Sequence, residues 1–169
     1  MPTHEGMRST GANVDAGTLL FVTDPAEDSL NVLEFACALA QRHRARLELV
    51  HVIDPEHIPT MPDAQMDIQY RLEALARSLR NLNTSARAIL LFGKPEHVLR
   101  ERAEDVKATL IAIALNGSAT DRVQKRMAED LSRNCDCPVL TLPPDIRVGG
   151  PQWLSLLSDT VRSLVSGTN

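Results

Sequence analysis

The sequence predicts an α/β fold built on a mostly parallel sheet. Five short apolar runs recur along the chain, at residues 18–23, 46–53, 85–92, 109–115 and 138–142. Segments with apolar residues at helical spacing separate them. The first run is apolar almost throughout, which suits a strand covered on both faces. Strands alternating with helices imply βαβ units, right-handed crossovers and parallel pairing.

Each element has its own signal. Residues 1–17 are polar and glycine-containing and read as a loose N-terminal arm. The first strand stops at Asp24-Pro25, because proline disfavours a helical conformation in the residue before it. Segment 28–43 carries Leu30, Leu33, Ala36, Cys37 and Ala40 on one helical face. The second strand, 46–53, is broken by Asp54-Pro55, and Pro55, Pro59 and Pro62 predict a loop. A helix over about 63–82 follows, with Ile68, Leu72, Leu75, Leu79 and Leu82 on its apolar side. Gly93-Lys94-Pro95 closes the third strand: glycine permits the turn, proline suits the first helical position, and Glu96 complements the helix dipole. The helix over 95–106 leads to the fourth strand. The next helix, near 121–134, is marked by Val123, Met127 and Leu131. The fifth strand ends at Pro143-Pro144.

Composition excludes several function classes. A chain of 169 residues with 43% hydrophobic content suits one domain with a sizeable core. Its net charge of −4 gives no general reason to expect nucleic-acid binding. Aromatic platforms for stacking bases are scarce, with one Trp, one Tyr and three Phe. No apolar run reaches membrane-spanning length, and the N-terminus lacks the basic and apolar parts of a signal peptide. A cytoplasmic protein is the expectation. Cys37 reads as a small core residue. Cys135 and Cys137 could form a redox or metal pair, but no second Cys/His pair with zinc spacing accompanies them, so they read as reduced thiols without metal.

Beyond the main body at 18–145, residues 146–169 read as a linker and an amphipathic helix. Gly149-Gly150-Pro151 precedes Trp153, Leu157, Val161 and Leu164 at helical spacing. Docking on the protein itself is the expectation, with exchange into a partner subunit or binding to another protein as the alternative. A membrane role is disfavoured because Arg162 is the single basic residue on the polar face.

Taken in order, residues 19–24, the helix after them, residues 49–52, Gly93-Lys94-Pro95, residues 108–115 with Asn116-Gly117, and residues 137–140 resemble the universal stress protein family. The resemblance covers residues 18–143. It implies a Rossmann-like open sheet of five parallel strands in the order 3-2-1-4-5, in a dimer that either binds ATP or does not. The fifth strand is then an edge, and its apolar Val139, Leu140 and Leu142 predict a homodimer formed by edge-to-edge pairing.

In such a sheet ligands sit beyond the carboxyl ends of the strands where connections reverse direction. By the family order this places Thr23, Asp24 and Pro25 opposite Asn116, Gly117 and Ser118. Asp24 could accept hydrogen bonds from a ribose hydroxyl or help hold a metal with phosphate. It could equally cap a helix or turn. Val52 matches a family position whose backbone contacts adenine. Family members that bind ATP carry Gly-x-x-Gly, nine residues, then Gly with Ser or Thr, because phosphate must approach backbone N–H groups unobstructed. Here Ala114 takes the first position and Gly117 the second. The second Gly-Ser/Thr aligns with Met127-Ala128, or with Lys125-Arg126 if the loop is two residues shorter.

The phosphate half of the site is therefore expected to be eroded. Arg122, Lys125 and Arg126 could compensate electrostatically, with Ser118 and Thr120 supplying hydroxyls. The alternative is a solvated basic helix start. No Gly-x-Ser-x-Gly elbow and no full Walker sequence is present, although Asp24, Glu27 and Asp28 could hold magnesium. The expected function is stress adaptation through dimerisation and binding of an unidentified protein partner or ligand, without a cofactor, nucleic acid or membrane. The alternatives are an ATP- and magnesium-binding switch and a weak nucleotide hydrolase.

Overall fold

The computed structural model describes residues 17–25, 30–57, 62–82, 84–115, 117 and 121–144. The N-terminal arm up to residue 16, the start of the first predicted helix and the predicted C-terminal helix lie outside the described residues. The elements are β1 (Thr18–Val22), α1 (Leu30–His43), β2 (Arg46–Ile53), a 3-10 turn (Pro55–His57), α2 (Pro62–Arg80), β3 (Ala86–Phe92), α3 (Pro95–Val106), β4 (Leu110–Ala114), α4 (Asp121–Asn134) and β5 (Val139–Leu142). All five strands pair in parallel, in the order β3-β2-β1-β4-β5.

Alternating side chains of the sheet build two cores, one on each face. Leu19 and Phe21 of β1 with Leu47 and Leu49 of β2 pack against Phe35, Leu39, Leu72 and Leu79 of α1 and α2. Leu20, Val22, Val50, Ile111 and Ile113 pack against Leu99 and Ala103 of α3 and Ala128 and Leu131 of α4. Every residue of β1 and β4 is buried, as expected for strands with helices on both sides.

Terminators act where the sequence places them. Gly93 adopts φ +139, and a Cβ there would stand 2.6 Å from Val98 Cγ1. Its N–H donates to Ile53 O at 3.0 Å, and Pro95 then opens α3. The helices α1 and α3 are followed by Arg44 and Lys107 in the left-handed region, where glycine is the commoner choice. Cys37 lies in the core and shares a 2.9 Å hydrogen bond with Thr84 Oγ1. Gln41 Nε2 donates to the same hydroxyl at 3.0 Å and to Leu82 O at 2.8 Å, tying the α2–β3 turn to α1.

Three expectations are corrected. Pro62 begins α2 rather than ending a loop, since proline is tolerated in the first turn of a helix. Leu82 lies beyond the end of α2 and is 57% exposed. Val123 is 70% exposed, because the face of α4 that meets the core carries Met127, Ala128 and Leu131.

One core feature has no local signal. Glu48, in the middle of β2, is buried in register between Leu20 and Arg87. Arg102 of α3 reaches it with two hydrogen bonds, Nε to Oε2 at 2.9 Å and Nη2 to Oε1 at 2.6 Å. These bonds raise the Arg102 pKa above its ordinary value, against the opposing effect of burial.

Candidate functional site

The sheet order places the first reversal of connection between β1 and β4, so the crevice opens beyond their carboxyl ends. On the β1 side, Thr23 is buried and its N–H donates to Val50 O at 2.9 Å. Its carbonyl accepts from His51 Nδ1 at 2.9 Å, which fixes the proton of the neutral ring on Nδ1. Asp24 and Pro25 follow, both half-buried at the rim.

Val52 is placed by strand periodicity. Arg46 N–H and Val50 C=O point toward β1, whereas Leu47 N–H and Ile53 C=O point toward β3. Backbone direction alternates along a strand, so Val52 faces the β1 side. The pairing of β1 with β2 reaches only Val50 in the strand register. The N–H and C=O of Val52 therefore face the space beyond the end of β1. Its side chain packs in the α3/α4 core.

On the β4 side, Ala114 is buried and ends its strand, and Leu115 N–H is bonded to Leu142 O at 2.9 Å. Gly117 is exposed at φ +80, a conformation that favours glycine. Its N–H does not face an open loop. It donates to Oδ2 of Asp121 at 3.0 Å. Ser118 lies outside the described residues, as do Asn116, Thr120, Glu27 and Asp28.

The helix α4 begins at Asp121, only four residues after Gly117. Both alignments of the second glycine therefore fall inside the helix. Beyond its first four residues the N–H groups are committed to intrahelical bonds, so residues 125–128 offer no free backbone donors. Ala128 faces the core, whereas Arg126 is exposed. Arg122, Lys125, Arg126 and Glu129 lie along the opposite side of the helix, lining an open depression of about 360 Å³. The structure thus brings Thr23, Asp24, Pro25 and Gly117 to the strand ends, and sets Arg126 on an outward helix face.

Two contributors escaped prediction. His51 is a polar residue near the end of an apolar strand, and that pattern could have flagged it. Asp121 resembles any acidic helix start, and nothing in the sequence distinguishes it.

The cysteines at 135 and 137 are unbridged and partly buried. Burial raises both thiols, Cys137 to about 11. Such thiols are poor nucleophiles near neutral pH. Among the described residues no group of His, Cys, Asp or Glu is arranged to hold a metal ion, and no helix is long and apolar enough to cross a membrane.

An all-parallel sheet ordered β3-β2-β1-β4-β5, with helices on both faces and a crevice between β1 and β4, defines a Rossmann-like α/β protein. The universal stress protein family model matches residues 16–143, and the chain belongs to that family. Similar solved structures include a universal stress protein family member from Burkholderia pseudomallei, at 23% identity and TM-score 0.56, covering 76% of this chain and 96% of that one. Another is the universal stress protein from Archaeoglobus fulgidus in complex with dAMP, at 18% identity and TM-score 0.57, covering 74% and 96%. A universal stress protein in complex with cAMP matches at 19% identity and TM-score 0.53, covering 76% and 98%. At such identities the likeness establishes the fold. No curated protein matches the chain.

Proposed function

We infer that this universal stress protein acts in stress adaptation by pairing with a second copy and binding a protein partner, with a nucleotide crevice whose phosphate half is eroded. The observation that carries this reading is the state of the loop after β4. Its Gly117 amide is taken by Asp121, and α4 starts before the place where a second glycine would supply further amides. Pairing is supported by β5, an edge strand whose Val139 and Leu140 are only half-buried. Joining the same edge of a second copy about a two-fold axis would satisfy its outer backbone groups.

A nucleotide-bound switch is the second reading. Similar proteins hold dAMP and cAMP, and here Val52 and Asp24 could serve a base and a ribose. Sedimentation velocity of the full chain at low micromolar concentration, with and without ATP and magnesium, separates the two. The expected result is a species of twice the 18.6 kDa chain mass, with no nucleotide absorbance moving with it at sub-millimolar ATP. A monomer would overturn the pairing, and co-sedimenting ATP would overturn the eroded site.

A further inference from the structure

An exposed backbone amide at a left-handed glycine, just beyond a parallel strand, is a donor suited to a phosphate oxygen. In this chain that donor already has an anionic acceptor. The carboxylate of Asp121 accepts from Gly117 N–H at 3.0 Å, and it is supplied by the first residue of α4. The partners are four residues apart and one is anchored in a helix, so little chain freedom is lost in bringing them together. A phosphate reaching for the same amide must displace this carboxylate and then lie beside its negative charge. Arg122, Lys125 and Arg126 line a depression with Glu129 on the side of α4 away from the Ala128–Leu131 core.

We propose that Asp121 is a specificity-determining residue of the crevice, its carboxylate filling the place of a nucleotide phosphate so that an uncharged nucleoside is accepted in preference to a nucleotide. The proposal rests on the eroded-site reading and supplies its cause: the amide donor persists but is occupied from within. The crevice retains the elements a nucleoside would use. Val52 turns its backbone into the space beyond β1, and Asp24 stands at the rim.

The test is calorimetric titration of the full chain and its Asp121→Ala and Asp121→Asn variants with adenosine, AMP and ATP, alongside the amide resonance of Gly117. The wild type is expected to bind adenosine at least as tightly as ATP. Asp121→Ala should gain about tenfold or more in ATP affinity, the scale of a charge-assisted hydrogen bond, with adenosine unchanged. Asp121→Asn should gain less, since its amide oxygen still accepts from Gly117 but carries no charge. The Gly117 proton should move upfield in Asp121→Ala and return downfield when ATP is added.

An ATP affinity within about twofold of wild type, in a folded Asp121→Ala that has lost the Gly117 contact, would overturn the proposal. So would a Gly117 resonance that ignores the substitution, or no binding of any of the three ligands at millimolar concentration. Should the alanine variant fail to fold, the near-isosteric Asp121→Asn decides alone, and no gain in ATP affinity there refutes the idea. A wild type that binds ATP more tightly than adenosine would also overturn the proposal, whereas micromolar ATP binding matched by adenosine, with the variant ratio as expected, would defeat the eroded-site reading alone.

Discussion

Replacing Arg102 by leucine would strand Glu48 inside the sheet. The side chain of Glu48 is 4% exposed and that of Arg102 23%, so removing the guanidinium leaves a carboxylate with almost no access to water. Breaking a buried pair from one side costs about 3–5 kcal/mol, and the partial solvation of Arg102 favours the lower end, about 3 kcal/mol. At 2–4 °C per kcal/mol for a chain of this size, Tm should fall by about 6–12 °C. The reverse change is milder. In Glu48→Leu the stranded guanidinium can turn to solvent, and the expected cost is about 1–2 kcal/mol. Removing both partners in Glu48→Leu/Arg102→Leu should return stability to within about 1 kcal/mol of wild type, because no uncompensated charge remains. Urea melts followed by far-UV circular dichroism measure all four proteins, with the m-value checked for constancy. If Arg102→Leu melts within about 0.5 kcal/mol of wild type, or the double variant is no better than the Arg102 single, the pair does not hold β2 to α3 as described.

Further outcomes follow from the turns and the thiols. Gly93→Ala should lower stability by about 1–3 kcal/mol, since the new Cβ meets Val98 Cγ1 at 2.6 Å and the backbone sits at φ +139; thermal melting checks this, and an unchanged Tm would contradict the turn geometry. Cys137, with its thiol raised from 9.0 to about 11, should react with iodoacetamide at pH 8 about a hundredfold more slowly than an ordinary thiol, as mass spectrometry of the alkylated peptide would show. The folded state holds this proton more tightly than the unfolded one, so the stability it contributes is present below pH 9 and is lost as pH rises toward about 11.

Much of the frame was legible because strands and helices write their periods and their ends into adjacent residues. The second strand and the third helix have the bounds predicted from apolar runs and from Pro95, and the family resemblance gave the order of the sheet. The glycine at 93 announced its turn, and the burial of β1 followed from an apolar run without polar alternation. Side-chain partners were not legible. Glu48 and Arg102 stand 54 positions apart, and only the packing of α3 over β2 makes them neighbours. Val123 fits a helical stripe as well as Met127 does, yet the rotation of α4 against the sheet turned it outward. The same holds for the loop after β4. Its missing glycine could be read from residues 125–128 and the start of α4 near 121 was predicted, but whether Gly117 still offered its amide depended on which way Asp121 pointed. Periodicity is a local property of the chain, whereas the occupant of a hydrogen-bonding site is settled by where elements come to rest in space.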